Sequence, residues 1–214
     1  GGGGGGGGIV GEGGGLWARL ATALGAAGHV VVHAGVGGRW PVDDADPASL
    51  RALLGDAFGG AAPTAVIHVG SLAGVGAIEA ALRRGVDGVL NTVQAIVGMA
   101  WRDSPRLWVV TRGAQALGGP VACEQAPTLG LARVVAMEHP ELRCGRVDLD
   151  PRGAADEAAL LAAEVAGDDA EDEVAWRGGV RFAGRLVRRA PEVSLGAGSG
   201  GVSLGTGSGG VSLG

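Results

Sequence analysis

LWVVTRGAQALGGPVACEQAPTLGLARVVAMEHPELRCGRVDLDP, residues 107–151, decides the fold. Its first five residues are an apolar, β-branched run of strand length, and a loop rich in glycine follows. Pro127 then opens a helix that runs to Glu138, because proline is preorganised for a first helical turn. His139-Pro140 ends that helix, and residues 144–149 form a second apolar strand. A strand, a helix and a strand in this order join parallel neighbours of one sheet.

The same alternation extends in both directions. Upstream, Ile9 and Val10 end a first strand, a helix covers residues 16–27, and Gly28 stops it. A strand at 29–34 (HVVVHA) and a loop to Asp46 follow, then a helix from Pro47 to about 58 with Asp46 as N-cap. Residues 64–69 (TAVIHV) give a third strand. Residues 75–100 carry helical apolar spacing through Ile78, Leu82, Val86, Val89, Val93 and Ile96, with Gly85 and Gly88 as a point of division. Downstream lie a helix at 154–166 and two short strands, 173–177 and 182–188, around the turn Arg177-Gly178-Gly179. Trp176, Phe182 and Leu186 supply the apolar side of that hairpin. Strands and helices in this rhythm predict an α/β domain whose parallel sheet is covered on both faces.

That domain is expected over residues 9–190. The glycine tract 1–8 lacks side chains for a core and stands outside it, whether disordered or filling unassigned positions. Residues 191–214 repeat with a nine-residue period (VSLGAGSGG, VSLGTGSGG, VSLG) and lack the aspartates of calcium-binding nonapeptides, so they read as a low-complexity linker or fragment end. Forty-six per cent of the 214 residues are hydrophobic, enough for one core, and the net charge of −5 argues against nucleic acid as a partner. All seventeen basic residues are Arg, which reads as the bias of a GC-rich genome. Cys123 and Cys144 are read as reduced thiols. No apolar run reaches the ~18 residues of a membrane span and no signal peptide is evident, so a soluble cytoplasmic location is expected.

The chain has no Tyr and no Lys. A carbonyl reduction that takes its proton from a tyrosine phenol, activated by a neighbouring lysine, therefore has no donor here. Gln125, Ala126, Pro127 and Thr128 stand where such a tyrosine belongs. Gly11-x-Gly13 after a strand is half of a dinucleotide fingerprint, but Leu16 takes the third glycine position and Glu12 sets a negative charge where phosphates would lie. A turn that only joins strand to helix is the preferred reading. Thr111 and Arg112, at a strand's C-terminal end, have the chemistry to hold a carbonyl and a phosphate or carboxylate, though a structural role is favoured.

His29 and His33 are ~13 Å apart along a strand, too far to chelate one metal, and His68 and His139 show no partner. Asp148 and Asp150 share a face ~6.6 Å apart, the spacing of an acid and base pair or a Mg²⁺ site, yet the Asp150-Pro151 pair favours a turn. Asp168, Asp169, Glu171, Asp172 and Glu173 read as a solvated acidic loop. Trp17, Trp40, Trp101, Trp108 and Trp176 are dispersed packing anchors.

On the strings at 107–119, 125–142 (QAPTLGLARVVAMEHPEL), 147–151 (VDLDP) and 173–188 (EVAWRGGVRFAGRLVR), the chain resembles the structural subdomain of the ketoreductase in modular type I polyketide synthases. The resemblance covers about 180 residues. It implies a truncated Rossmann-like fold, similar to short-chain dehydrogenases/reductases, that stabilises a second, catalytic half. That half binds NADPH and carries the Ser, Tyr and Lys, so this chain is assigned no catalytic, cofactor-binding or metal-binding residue.

The parent would be a cytoplasmic, homodimeric, multifunctional transferase of antibiotic-type biosynthesis, combining acyltransferase and ketoreductase. Its substrate would be a β-ketoacyl thioester on the phosphopantetheine of an acyl carrier protein, with an enoylreductase as a further neighbour. The family's usual continuation into an enoylreductase or the catalytic half does not follow the hairpin here. Two rival readings stand beside this one. The first is a degenerate NAD(P)H-dependent oxidoreductase using His68 or Asp148 as proton donor, and the second is a module that docks a carrier protein or neighbouring domain.

Overall fold

The computed structural model describes residues 6–10, 15–34, 46–72, 78–167 and 170–185. Seven strands form one sheet: β1 (Gly6–Val10), β2 (Val30–Ala34), β3 (Ala65–His68), β4 (Arg106–Arg112), β5 (Gly145–Leu149), β6 (Glu173–Arg177) and β7 (Val180–Ala183). Their order is β2-β1-β3-β4-β5-β6-β7; all neighbours are parallel except the antiparallel pair β6 and β7. The helices are α1 (Gly15–Ala26), α2 (Pro47–Ala57), α3 (Ile78–Leu82), α4 (Gly88–Gly98), α5 (Ala126–Glu138) and α6 (Glu157–Ala166). By contacts the chain divides into a unit Gly1–Ala183 and a second that begins at Gly184.

Alternation along the strands builds two cores. Leu107 and Val109 of β4, with Val66 of β3, meet Leu50, Leu54, Val89, Val93 and Ile96 of α2 and α4 and Ala132 and Val135 of α5. Trp108 and Val110, with Ile67, Val147 and Leu149, meet Leu16, Leu20 and Leu24 of α1 and Leu161 of α6. The period of two in each strand delivers successive side chains to opposite faces, so a near-continuous apolar run is what a doubly covered strand requires.

Local details follow the expected chemistry, with corrections. Asp46 caps α2, its carboxylate accepting from the N–H groups of Ala48 (3.0 Å) and Ser49 (3.2 Å). β1 begins at Gly6, so three glycines of the tract placed outside the domain join the ladder with β2; such pairing is made by backbone groups and needs no side chain. The last strand is Val180–Ala183 rather than 182–188, because Gly178 (φ 56°) and Gly179 (φ 79°) form a two-residue turn that pairs Arg177 directly with Val180. Positive φ at both central residues is the type I′ hairpin geometry.

Between α3 and α4 the helix widens into a π turn, Arg83–Asp87, at the two glycines read as a division. A Cβ on Gly88 would lie 2.7 Å from His68 Nε2, and one on Gly85 would collide with the Thr128 hydroxyl. Glycine lets the widened turn press against both side chains. The Gly11-x-Gly13 turn with Glu12, Trp40, Asp168, Asp169, Leu186 and the repeat tail lie outside the described residues. Among the described residues no helix is long and apolar enough to cross a membrane.

Candidate functional site: the carboxyl edge of the sheet

In an open parallel sheet, ligands bind beyond the carboxyl ends of the strands. At that edge β4, β5 and β6 end in Thr111-Arg112, Asp148-Leu149-Asp150 and Arg177. Asp148 is wholly buried, and its carboxylate accepts from Thr111 Oγ1 (2.7 Å), the N–H groups of Ala114 (2.8 Å) and Gln115 (3.0 Å), and the Arg177 guanidinium. Thr111 and Asp148 stand in register on adjacent strands, which places both on one face.

Arg177 also donates to the carbonyls of Asp148, Leu149, Trp176 and Gln115. One guanidinium therefore ties β5, β6 and the loop after β4 together, which its planar fork of five N–H donors permits. Asp150 accepts from the N–H groups of Gly178 (2.6 Å) and Arg152 (2.9 Å) and from the Arg152 side chain. The Gly178 N–H first, and then Arg152, hold its carboxyl well below the usual carboxylate range. Asp148 and Asp150 thus each bond to their own chain, and the acid and base spacing serves the β5–β6 junction.

On the other face Arg112 donates to Glu157 Oε2 (2.7 Å) and the Asp150 carbonyl (2.9 Å), while Arg19 of α1 reaches Glu157 Oε1 (3.0 Å). The Arg112 N–H donates to Gln125 Oε1 (2.8 Å). Gln125 is thereby bonded to the end of β4, and Thr128 is packed beneath Gly85. Thr111 is buried and Arg112 partly buried, each bonded to other residues of this chain.

His68 is fully buried with neither ring nitrogen hydrogen-bonded, and burial lowers its pKa to about 4. His33 stacks flat on Trp17, ring centroids 3.8 Å apart. His139, expected to lack a partner, meets Glu141 at 3.0 Å. The acidic run is only partly a solvated loop: Asp172 (2.8 Å) and Glu173 (3.0 Å) pair with the buried Arg146, and Glu173 also takes Arg133 of α5. Burial pushes the Cys144 thiol up to about 11, and Cys123 is exposed. Among the described residues no group of three His, Cys, Asp or Glu is placed to hold a metal.

Sequence reasoning missed Glu157, and it named Arg177 only as a turn residue and Gln125 only as standing where a tyrosine belongs, without their bonds to Asp148 and to the Arg112 N–H. The available signal was an Arg at the end of a strand facing a strand that ends in Asp-Leu-Asp, a cross-strand charge pairing. Nicotinamide chemistry needs unsatisfied donors and a proton source at this edge. At the ends of β4, β5 and β6 most described polar groups bond to one another, while the Gln115 amide nitrogen and the Trp176 indole N–H are buried without a hydrogen-bond partner.

Residues 16–186 match the family described as the Rossmann fold domain of the polyketide synthase extender module SpnB. A phenolphthiocerol/phthiocerol polyketide synthase of Mycobacterium tuberculosis is 44% identical over 110 residues, which is 50% of this chain and 5% of that protein. The chain spans only a small part of such relatives. A C2-type ketoreductase from a modular polyketide synthase matches with 28% identity and TM-score 0.64, over 85% of this chain and 40% of that one. An A1-type ketoreductase matches with 27% identity and TM-score 0.66, over 89% and 40%. With its doubly covered parallel sheet and a match over most of its length, this chain belongs to the family of Rossmann-fold domains of polyketide synthase extender modules.

Proposed function

We propose that this chain is the non-catalytic structural half of a polyketide synthase ketoreductase. It stabilises the half that binds NADPH and reduces a β-ketoacyl thioester carried on the phosphopantetheine of an acyl carrier protein. The observation that carries this reading is the Asp148 carboxylate, engaged by Thr111, Ala114, Gln115 and Arg177 at the edge where a reductase holds its reactants. A chain without Tyr or Lys adds the lack of a proton donor. No residue here is assigned to catalysis, cofactor or metal.

The oxidoreductase alternative relies on His68 or Asp148. One is sealed in the core and the other is committed to Arg177, which weighs against both. Titrating the isolated chain with NADPH, followed by nicotinamide fluorescence, is expected to give no saturable binding in the micromolar range. Adding the chain to the catalytic half is expected to raise that half's melting temperature. Saturable micromolar binding, or ketone turnover by this chain alone, would overturn the proposal.

A further inference from the structure

The two edges of the sheet differ. β7 is four residues long, leaves a tight turn, and carries Arg181, whose guanidinium is held by Glu164 of α6 (2.8 Å and 2.6 Å). A short strand with a fixed charge is a protected edge. β2 reads Val-Val-Val-His-Ala, without Pro, Lys, Arg or Gly, and Val30 at its start is 63% exposed. Such a continuous apolar run is the composition of an interior strand.

The familiar doubly wound sheet has the order 3-2-1-4-5-6, with a further strand outside the second. Here the second strand is outermost, and among the described residues nothing pairs with its outer side. We infer that the outer edge of β2 receives a parallel, apolar strand from the catalytic half, completing a sheet that is one strand short among the described residues. The occupant is argued from the solved ketoreductases: about three fifths of each lies outside the match to this chain, so each has further polypeptide to supply a strand. Main-chain hydrogen bonds along β2 would hold it, with Val30 as an apolar contact at the entry end.

This inference rests on the pairing with a catalytic half proposed above. The test places a photo-crosslinking benzoylphenylalanine at position 30, and as control at position 180 on β7, in the synthase polypeptide that contains both halves. The expected result is a crosslink from position 30 to a strand peptide of the catalytic half and none from 180. Val30→Lys, at an exposed side chain, is expected to weaken association of the separated halves at least tenfold with the melting temperature of this chain unchanged. If the halves associate while position 30 reacts only with its own chain, with a second copy or with nothing, the β2 assignment falls alone. If the halves do not associate, the structural-half reading falls and takes this inference with it.

Discussion

His68 shows what burial without a partner does to a single side chain. Its ring lies between Gly70 and Gly88, and its pKa falls from 6.5 to about 4 through desolvation. In the unfolded chain the imidazole takes up a proton near pH 6.5, whereas in the folded chain it does so only near 4. Between those values the unfolded state binds more protons, so stability is complete above about pH 6.5 and declines as the pH falls toward 4. At about 1.4 kcal/mol per pH unit the full loss is roughly 3 kcal/mol. Urea denaturation between pH 7.5 and 4.5 should show this decline, and His68→Asn should flatten it. An equal slope in the variant would show that another group is responsible.

At the scale of elements, most of the architecture was legible because period and punctuation are local. Leu16, Leu20 and Leu24 announce one helical face, and Asp46-Pro47 announces a helix start. The start of β1 within a glycine tract was not legible, because glycine carries no pattern and only the ladder fixes its place. Nor was the strength of the carboxyl edge. Thr111, Arg112, Asp148 and Asp150 could be singled out as strand-end polar residues, but Arg177 reaches Asp148 across 29 positions of sequence, a pairing set by the neighbouring of β5 and β6.

Register also gives Gly145 its meaning. It stands directly opposite Trp108, whose indole occupies the space a Cβ would need, while the Arg106 guanidinium covers the ring at 4.0 Å. Gly145→Ala is therefore expected to destabilise by about 1–3 kcal/mol through overpacking. Denaturation followed by tryptophan fluorescence measures it, and a neutral effect would mean that the ring can move aside.

For the molecule as a whole, the two cores share their strands, since β4 sends Val109 to one and Val110 to the other. Neither layer can melt while the sheet keeps its other face, so one cooperative transition is expected. Leu161→Ala, at a fully buried position of α6, should lower stability by about 2–5 kcal/mol. Circular dichroism and fluorescence midpoints should fall together; two separated transitions would show that the faces unfold independently.

The unequal borders of the sheet carry a last consequence. Fibril growth by strand stacking demands a receptive rim on both sides of every unit, so that each newcomer offers the next a landing place. With Arg181 held by Glu164 at one rim and Val30 exposed at the other, lateral association of this sheet is expected to stop at a finite pair, and sedimentation of a growing series of larger species would overturn that expectation.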